Sequence, residues 1–65
     1  MKIVYKVYEY RTKANMTIRD LSEKSEIGIA TIDRIENGLA NPTIEVLCRL
    51  AIALNCSPYD LFLLE

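Results

Sequence analysis

The sequence predicts an all-α domain of five short helices, and three observations carry that assignment. Apolar residues recur at three- and four-residue spacing through most of the chain. Start signals of the form Thr-x-x-Asp and Ser-x-x-Asp stand ahead of two of those runs, and an Asn-Gly pair and two prolines interrupt them. With 65 residues the chain makes one domain, residues 1–65, whose core is marginal. A helical fold of local contacts suits that size.

The first helix is expected over about residues 4–13, where Ile3, Val7, Tyr10 and Ala14 fall at helical spacing. The same segment, KIVYKVYEYRTKAN, is rich in β-branched and aromatic residues, which favour a strand. The competing reading makes Lys2 to Tyr8 an edge strand that pairs with a second copy, with Tyr5, Tyr8 and Tyr10 in the interface.

Thr17 and Asp20 have capping-box spacing and predict a helix over 18–24. Ile18, Leu21 and Ser22 form its narrow inner stripe, with Arg19, Asp20, Glu23 and Lys24 on the other side. The pattern breaks from Ser25 to Gly28, where Ile27 is the only large apolar residue. Gly28 suits a helix entrance, so the chain turns there. A third helix follows over 29–37 with Ile32 and Ile35 buried, and Gly38 stands where a left-handed cap needs no Cβ.

After Pro42, Thr43 caps a fourth helix over 44–54, with Ile44, Leu47, Leu50, Ala51 and Leu54 on its inner face. Ser57, Pro58 and Asp60 then supply a cap, a first-turn proline and an acid, which start a fifth helix over 58–63. Phe62, Leu63 and Leu64 are more apolar bulk than that helix can hide. Together with Tyr59 they read either as core and terminus or as a two-fold interface.

Composition narrows the function. Apolar residues make up 51% of the chain, which leaves surface for a partner to cover and points to a homodimer. The chain holds no histidine, the usual general base, and no Gly-rich phosphate loop, so an enzyme is not expected. Cys48 and Cys56 read as buried free thiols, and two cysteines without histidine do not complete a tetrahedral zinc site. No metal, cofactor or small-molecule ligand is expected. No run approaches the roughly 20 apolar residues of a membrane span, and the start lacks a smooth apolar leader; a cytoplasmic protein is expected, with no membrane partner and no sensor domain within these residues.

The stretch MTIRDLSEKSEIGIATIDRIENGLANP resembles the helix-turn-helix of the Cro and phage-repressor family, also called the xenobiotic-response-element family. Thr17, Leu21, Ile27, Ile32, Ile35, Glu36, Gly38 and Pro42 carry the resemblance. It extends through IEVLCRLAIALNCSPYDLF and back to Arg11, nearly the whole chain. The implied fold is the compact five-helix λ-repressor-like domain. The implied partner is double-stranded DNA, and the implied role is a transcriptional regulator, a repressor by family analogy. The resemblance also pairs Arg11 with Glu36 as a partly buried link between the first helix and the end of the third.

In this geometry the second helix of the motif enters the major groove by its N-terminal residues, while the first lies across the phosphates. Ile29, Ala30, Thr31, Asp33 and Arg34 would then face the bases. Arg34 is the best reader, since its planar fork can bond O6 and N7 of guanine; the bland alternative is a solvated side chain. Thr31 could touch a thymine methyl or a phosphate, Ile29 and Ala30 offer only apolar contact, and Asp33 could accept from cytosine. Phosphate contacts fall to the N–H groups at Thr17 and Ile18 and to Asn15, Arg19, Asn37, Asn41 and Thr43.

Three positions depart from the family pattern. Ile18 stands where Gln usually grips a phosphate, Glu26 replaces the usual turn Gly, and Gly28 replaces a Ser or Thr cap. A net charge of −1 and a pI near 5.3 give no global attraction to a polyanion. Single-domain binding should be weak. A dimer would recover affinity by presenting two reading helices about 34 Å apart on a palindromic operator. The rival reading is a helical interaction module, an antitoxin-like or assembly partner that kept the fold and uses its apolar surfaces.

Overall fold

The computed structural model describes residues 1–65. Strand β1 (Ile3–Tyr5) leads into helix α1 (Val7–Lys13), followed by α2 (Ile18–Ser25), α3 (Ile29–Glu36) and α4 (Ile44–Leu54). A 3₁₀ turn (Pro58–Leu61) and strand β2 (Phe62–Leu64) close the chain. The domain is therefore mostly helical, with four α-helices and a two-stranded antiparallel ribbon instead of five helices.

Both corrections have one cause. Ile3, Val4 and Tyr5 pair with Leu64, Leu63 and Phe62 respectively, so the β-branched and aromatic ends of the chain satisfy each other's backbone groups. The expected helix over 4–13 thus begins only at Val7, and the expected helix over 58–63 gives way to strand at Phe62. Of the helical stripe read at the start, Val7 is buried, Tyr10 is half-buried, and Ile3 and Ala14 are exposed. The strand, Ile3–Tyr5, pairs with β2 of its own chain.

The helix ends follow local rules. Thr17 and Ser57 each form a complete capping box, with Asp20 and Asp60, and the Thr43 hydroxyl accepts from the N–H of Val46. At the end of α3, Gly38 adopts φ +72°. The N–H of Leu39 then reaches the carbonyl of Arg34 at 2.8 Å, and that of Gly38 reaches Ile35 at 3.1 Å. This is a Schellman stop. Asn15 and Asn55, at φ 58° and 57°, end α1 and α4 by the same pair of bonds.

The core gathers Val7 from α1, Leu21 from α2, Ile27 from the turn, Ile32 and Ile35 from α3, Leu47, Leu50, Ala51, Ala53 and Leu54 from α4, and Leu61. Tyr5 and Phe62 pack against it from the ribbon. Ile44 is not on the inner face of α4, being 79% exposed; it lies in the first turn, and Val46 packs on the core instead. Ser22 is half-buried, and Ser25 is the buried polar residue of α2. Cys48 and Cys56 are free, and each is half-buried rather than buried. Partial burial, and next the charge of Asp60, push the Cys56 thiol above its ordinary pKa. No helix is long and apolar enough to cross a membrane.

Candidate nucleic-acid interface

The motif is built from the α2 end upward. The Thr17 hydroxyl accepts from the Asp20 N–H at 3.0 Å while the Thr17 N–H donates to the Asp20 carboxylate at 2.9 Å. Those bonds, the Thr17 backbone first and its hydroxyl second, hold Asp20 below its ordinary pKa. The capping box fixes where α2 begins, and with it the positions of Ile18, which is half-buried, and Arg19, which is exposed.

The turn between α2 and α3 is closed by two serines. Ser22 donates to the carbonyl of Ile27 at 2.6 Å. Ser25 donates to the carbonyl of Leu21 at 2.6 Å and accepts from the N–H of Ile27 at 3.2 Å. These bonds satisfy both backbone groups of Ile27, whose side chain is buried. Glu26 takes φ 61°, the left-handed conformation that glycine adopts freely, so the turn geometry is kept at a cost in strain. Gly28 is the N-cap of α3 and gives no side-chain cap.

Helix α3 buries Ile32 and Ile35 and exposes Ile29, Ala30, Thr31, Asp33 and Arg34. All five base-reading candidates therefore share the solvent side of one helix. They are not equivalent. Ile29, Ala30 and Thr31 form the first turn, the end that enters a groove in this motif. Arg34 lies in the last turn, where its guanidinium donates to the carbonyl of Leu39 at 3.0 Å. Asn37 is also engaged, donating to the Asp33 carbonyl at 2.8 Å and to its carboxylate at 3.2 Å.

Arg11 ties α1 to the far end of α3. Its Nε donates to Glu36 at 2.7 Å and its Nη2 at 3.0 Å, a two-pronged pair, while Nη1 donates to the carbonyl of Met16 at 2.9 Å. The two side chains are only 13% and 8% exposed. The hydrogen bonds that Arg11 donates to Glu36 raise the pKa of Arg11 against the opposing effect of burial.

The candidate phosphate residues lie in three places. Thr17, Ile18 and Arg19 surround the start of α2, and Asn15 is the left-handed residue just ahead of it. Asn37, Asn41 and Thr43 lie along the segment from α3 to α4, all exposed. Asn41 accepts from the Tyr5 hydroxyl at 3.0 Å, which joins β1 to that loop. Lys2, Tyr5, Asn37, Gly38 and Asn41 line one open cleft of about 290 Å³. Sequence reasoning missed Tyr5 and Lys2 as neighbours of the loop, and it missed Ser22 and Ser25 as the clasp of the turn. The serine pair around a turn that carries Glu26 in place of the usual glycine was a readable signal; nothing local links Tyr5 to Asn41.

The model of the helix-turn-helix family matches residues 7–61. Among solved structures, a crystal structure of a protein from Bacteroides fragilis, provisionally described as DNA-binding, superposes with a TM-score of 0.86 at 22% identity. The alignment covers 95% of this chain and 100% of that one. At that identity the likeness shows the fold alone. No curated protein matches the sequence. The family match runs from the first residue of α1 to the last of the 3₁₀ turn, over the capped α2, the closed turn and the exposed face of α3 just described, and the chain belongs to the helix-turn-helix family.

Proposed function

We propose that this protein is a sequence-specific DNA-binding transcriptional regulator, acting as a repressor that occupies a palindromic operator as a homodimer. The observation that carries the reading is the undivided solvent side of α3, with Ile29, Ala30, Thr31, Asp33 and Arg34 exposed beside the capped start of α2. Ile29, Ala30 and Thr31 meet base edges and thymine methyl groups in the major groove. Arg34 leaves its Leu39 carbonyl to reach a guanine at the edge of the site, an exchange that costs little because the bond is exposed. Asp33 accepts from a cytosine amino group. Asn15, Thr17, Ile18, Arg19, Asn37, Asn41 and Thr43 position the domain on phosphates and carry no sequence information.

Residues 1–65 act as a single domain in the cytoplasm, without cofactor and without catalysis. Two subunits associate through Tyr59, Phe62, Leu63 and Leu64 and so present two reading helices to adjacent major grooves. The test is selection of bound duplexes from random-sequence DNA at about 50 mM salt and again at about 150 mM, where phosphate-driven binding weakens steeply. Enrichment of a two-fold symmetric site that Arg34→Ala loses is the expected result. Absence of enrichment at both salts overturns the reading.

A second reading, a protein-interaction module, is favoured by Ile44 and Ile52, each 79% exposed on α4, and by the acidic balance of the chain. Capture of a specific protein by wild type, lost in Ile52→Glu, would support it in the absence of DNA enrichment.

A further inference from the structure

The ribbon that the two chain ends form has an unused side. Lys2 and Glu65 exchange both backbone bonds at 2.8 Å, and the Lys6 N–H donates to the Leu61 carbonyl at 2.8 Å. With Val4 opposite Leu63 between them, alternation in an antiparallel ladder turns the backbone N–H and C=O of Ile3 and Tyr5 outward on β1, and those of Phe62 and Leu64 outward on β2. The two edges differ. That of β1 borders the cleft shared with Ile35, Asn37 and Asn41. That of β2 has no such neighbour, and Leu63 and Leu64 are 43% and 58% exposed.

We propose that β2 pairs with β2 of a second copy across a two-fold axis, making a four-stranded antiparallel sheet from two ribbons. Self-pairing fixes the register. Phe62 lies opposite Leu64 of the second copy and Leu64 opposite its Phe62, which satisfies every outward backbone group of the strand, and Leu63 meets Leu63 at the axis. In that register Leu61 faces Glu65, so no like charges meet. The equivalent arrangement through β1 sets Val4 on Val4 and Lys2 opposite Lys6, a like-charge pair on each side of the axis, which disfavours it. Pairing of β1 with β2 would leave an edge open at each end and propagate as a fibre. The charge pattern and the closed symmetry therefore select one occupant, a second copy, at one edge. An exposed ribbon edge with apolar side chains is otherwise an aggregation site.

This deepens the homodimer of the proposed function, and it is tested by mass and cross-linking without DNA, so its failure and the failure of DNA binding are separate results. Sedimentation equilibrium of wild type is expected to give twice the 7.4 kDa chain mass. Leu63→Glu, which sets two carboxylates at the axis, should shift the monomer–dimer midpoint about tenfold or more to higher concentration with an unchanged far-ultraviolet spectrum. A Cys48→Ala, Cys56→Ala background carrying Leu63→Cys should form a disulfide-linked dimer on mild oxidation, since opposed residues of a non-bonded pair lie about 4.5 Å apart between Cα atoms. Val4→Cys in the same background should not. A monomeric wild type at hundreds of micromolar, a dimer indifferent to Leu63→Glu, or faster cross-linking at Val4 than at Leu63 would each overturn the proposal.

Discussion

Arg11 grips both carboxylate oxygens of Glu36, at 2.7 and 3.0 Å, from a helix that shares no hydrogen bond with α3 backbone. The guanidinium also holds the Met16 carbonyl ahead of α2. One side chain thus connects the ends of α1 and α3 to the entry of α2.

Removing one partner of such a buried pair strands the other charge. Arg11→Met is expected to cost about 3 to 5 kcal/mol, a large part of the stability of so small a domain. Adding Glu36→Leu to Arg11→Met should recover most of that loss, because the stranded carboxylate is gone. Urea titrations of the two variants and wild type check this. An unchanged midpoint for Arg11→Met would mean that the pair holds nothing.

Gly38 and Glu26 make opposite cases from the same conformation. A Cβ at Gly38 meets no atom within 4 Å, yet φ is +72°, so Gly38→Ala should cost only backbone strain, about 1 to 2 kcal/mol. Glu26 bears that strain already at φ 61°. Glu26→Gly should therefore stabilise the domain by roughly 0.5 to 1 kcal/mol, less the small contribution of its exposed, 3.8 Å pair with Arg49. Thermal melts of both variants give the signs.

At Gly28 the space is ordinary, with the Thr31 hydroxyl 3.9 Å from a built Cβ, and the backbone is extended at φ −60° and ψ 146°. Gly28→Ser supplies the missing cap and should raise stability by a few tenths of a kcal/mol. The same melt should show no loss of helix content.

Asp20 gives an acid-side pH dependence. Its folded pKa lies below the ordinary carboxylate value through the Thr17 backbone and hydroxyl bonds, so the folded state favours the ionised form. That contribution is present above the unfolded pKa of about 3.9 and is lost as pH falls through the folded value. In Asp20→Asn the fall in melting temperature below about pH 4 should be shallower than in wild type. Parallel curves would exclude a capping contribution from the carboxylate.

Tyr5→Phe removes only the hydroxyl that holds Asn41 at 3.0 Å. An exposed bond of this kind contributes about 0.5 to 1.5 kcal/mol, so stability should fall slightly. If the loop of Asn37 and Asn41 rests on phosphate as proposed, affinity for DNA should fall as well, with the site preference unchanged. Binding isotherms on specific and scrambled duplexes measure both.

By itself the sequence determined the helix starts at Thr17, Thr43 and Ser57, the stop at Gly38 and the inner residues Leu21, Ile32, Ile35, Leu47, Leu50 and Leu54. Each of these depends on residues three or four apart, where capping and helical periodicity act. The match of Arg11 with Glu36 was legible only through the resemblance, since nothing local joins them. Tertiary structure decided the rest. Ile3–Tyr5 has helical spacing and strand composition at once, and the choice fell to strand because Phe62–Leu64, at the other end of the chain, supplies its ladder. The same long-range meeting turned the last turn of the expected fifth helix into β2, brought Tyr5 onto Asn41, and left the edge of β2 unpaired. A helix satisfies its own backbone groups within one segment, but a strand needs a partner whose identity its own residues do not contain.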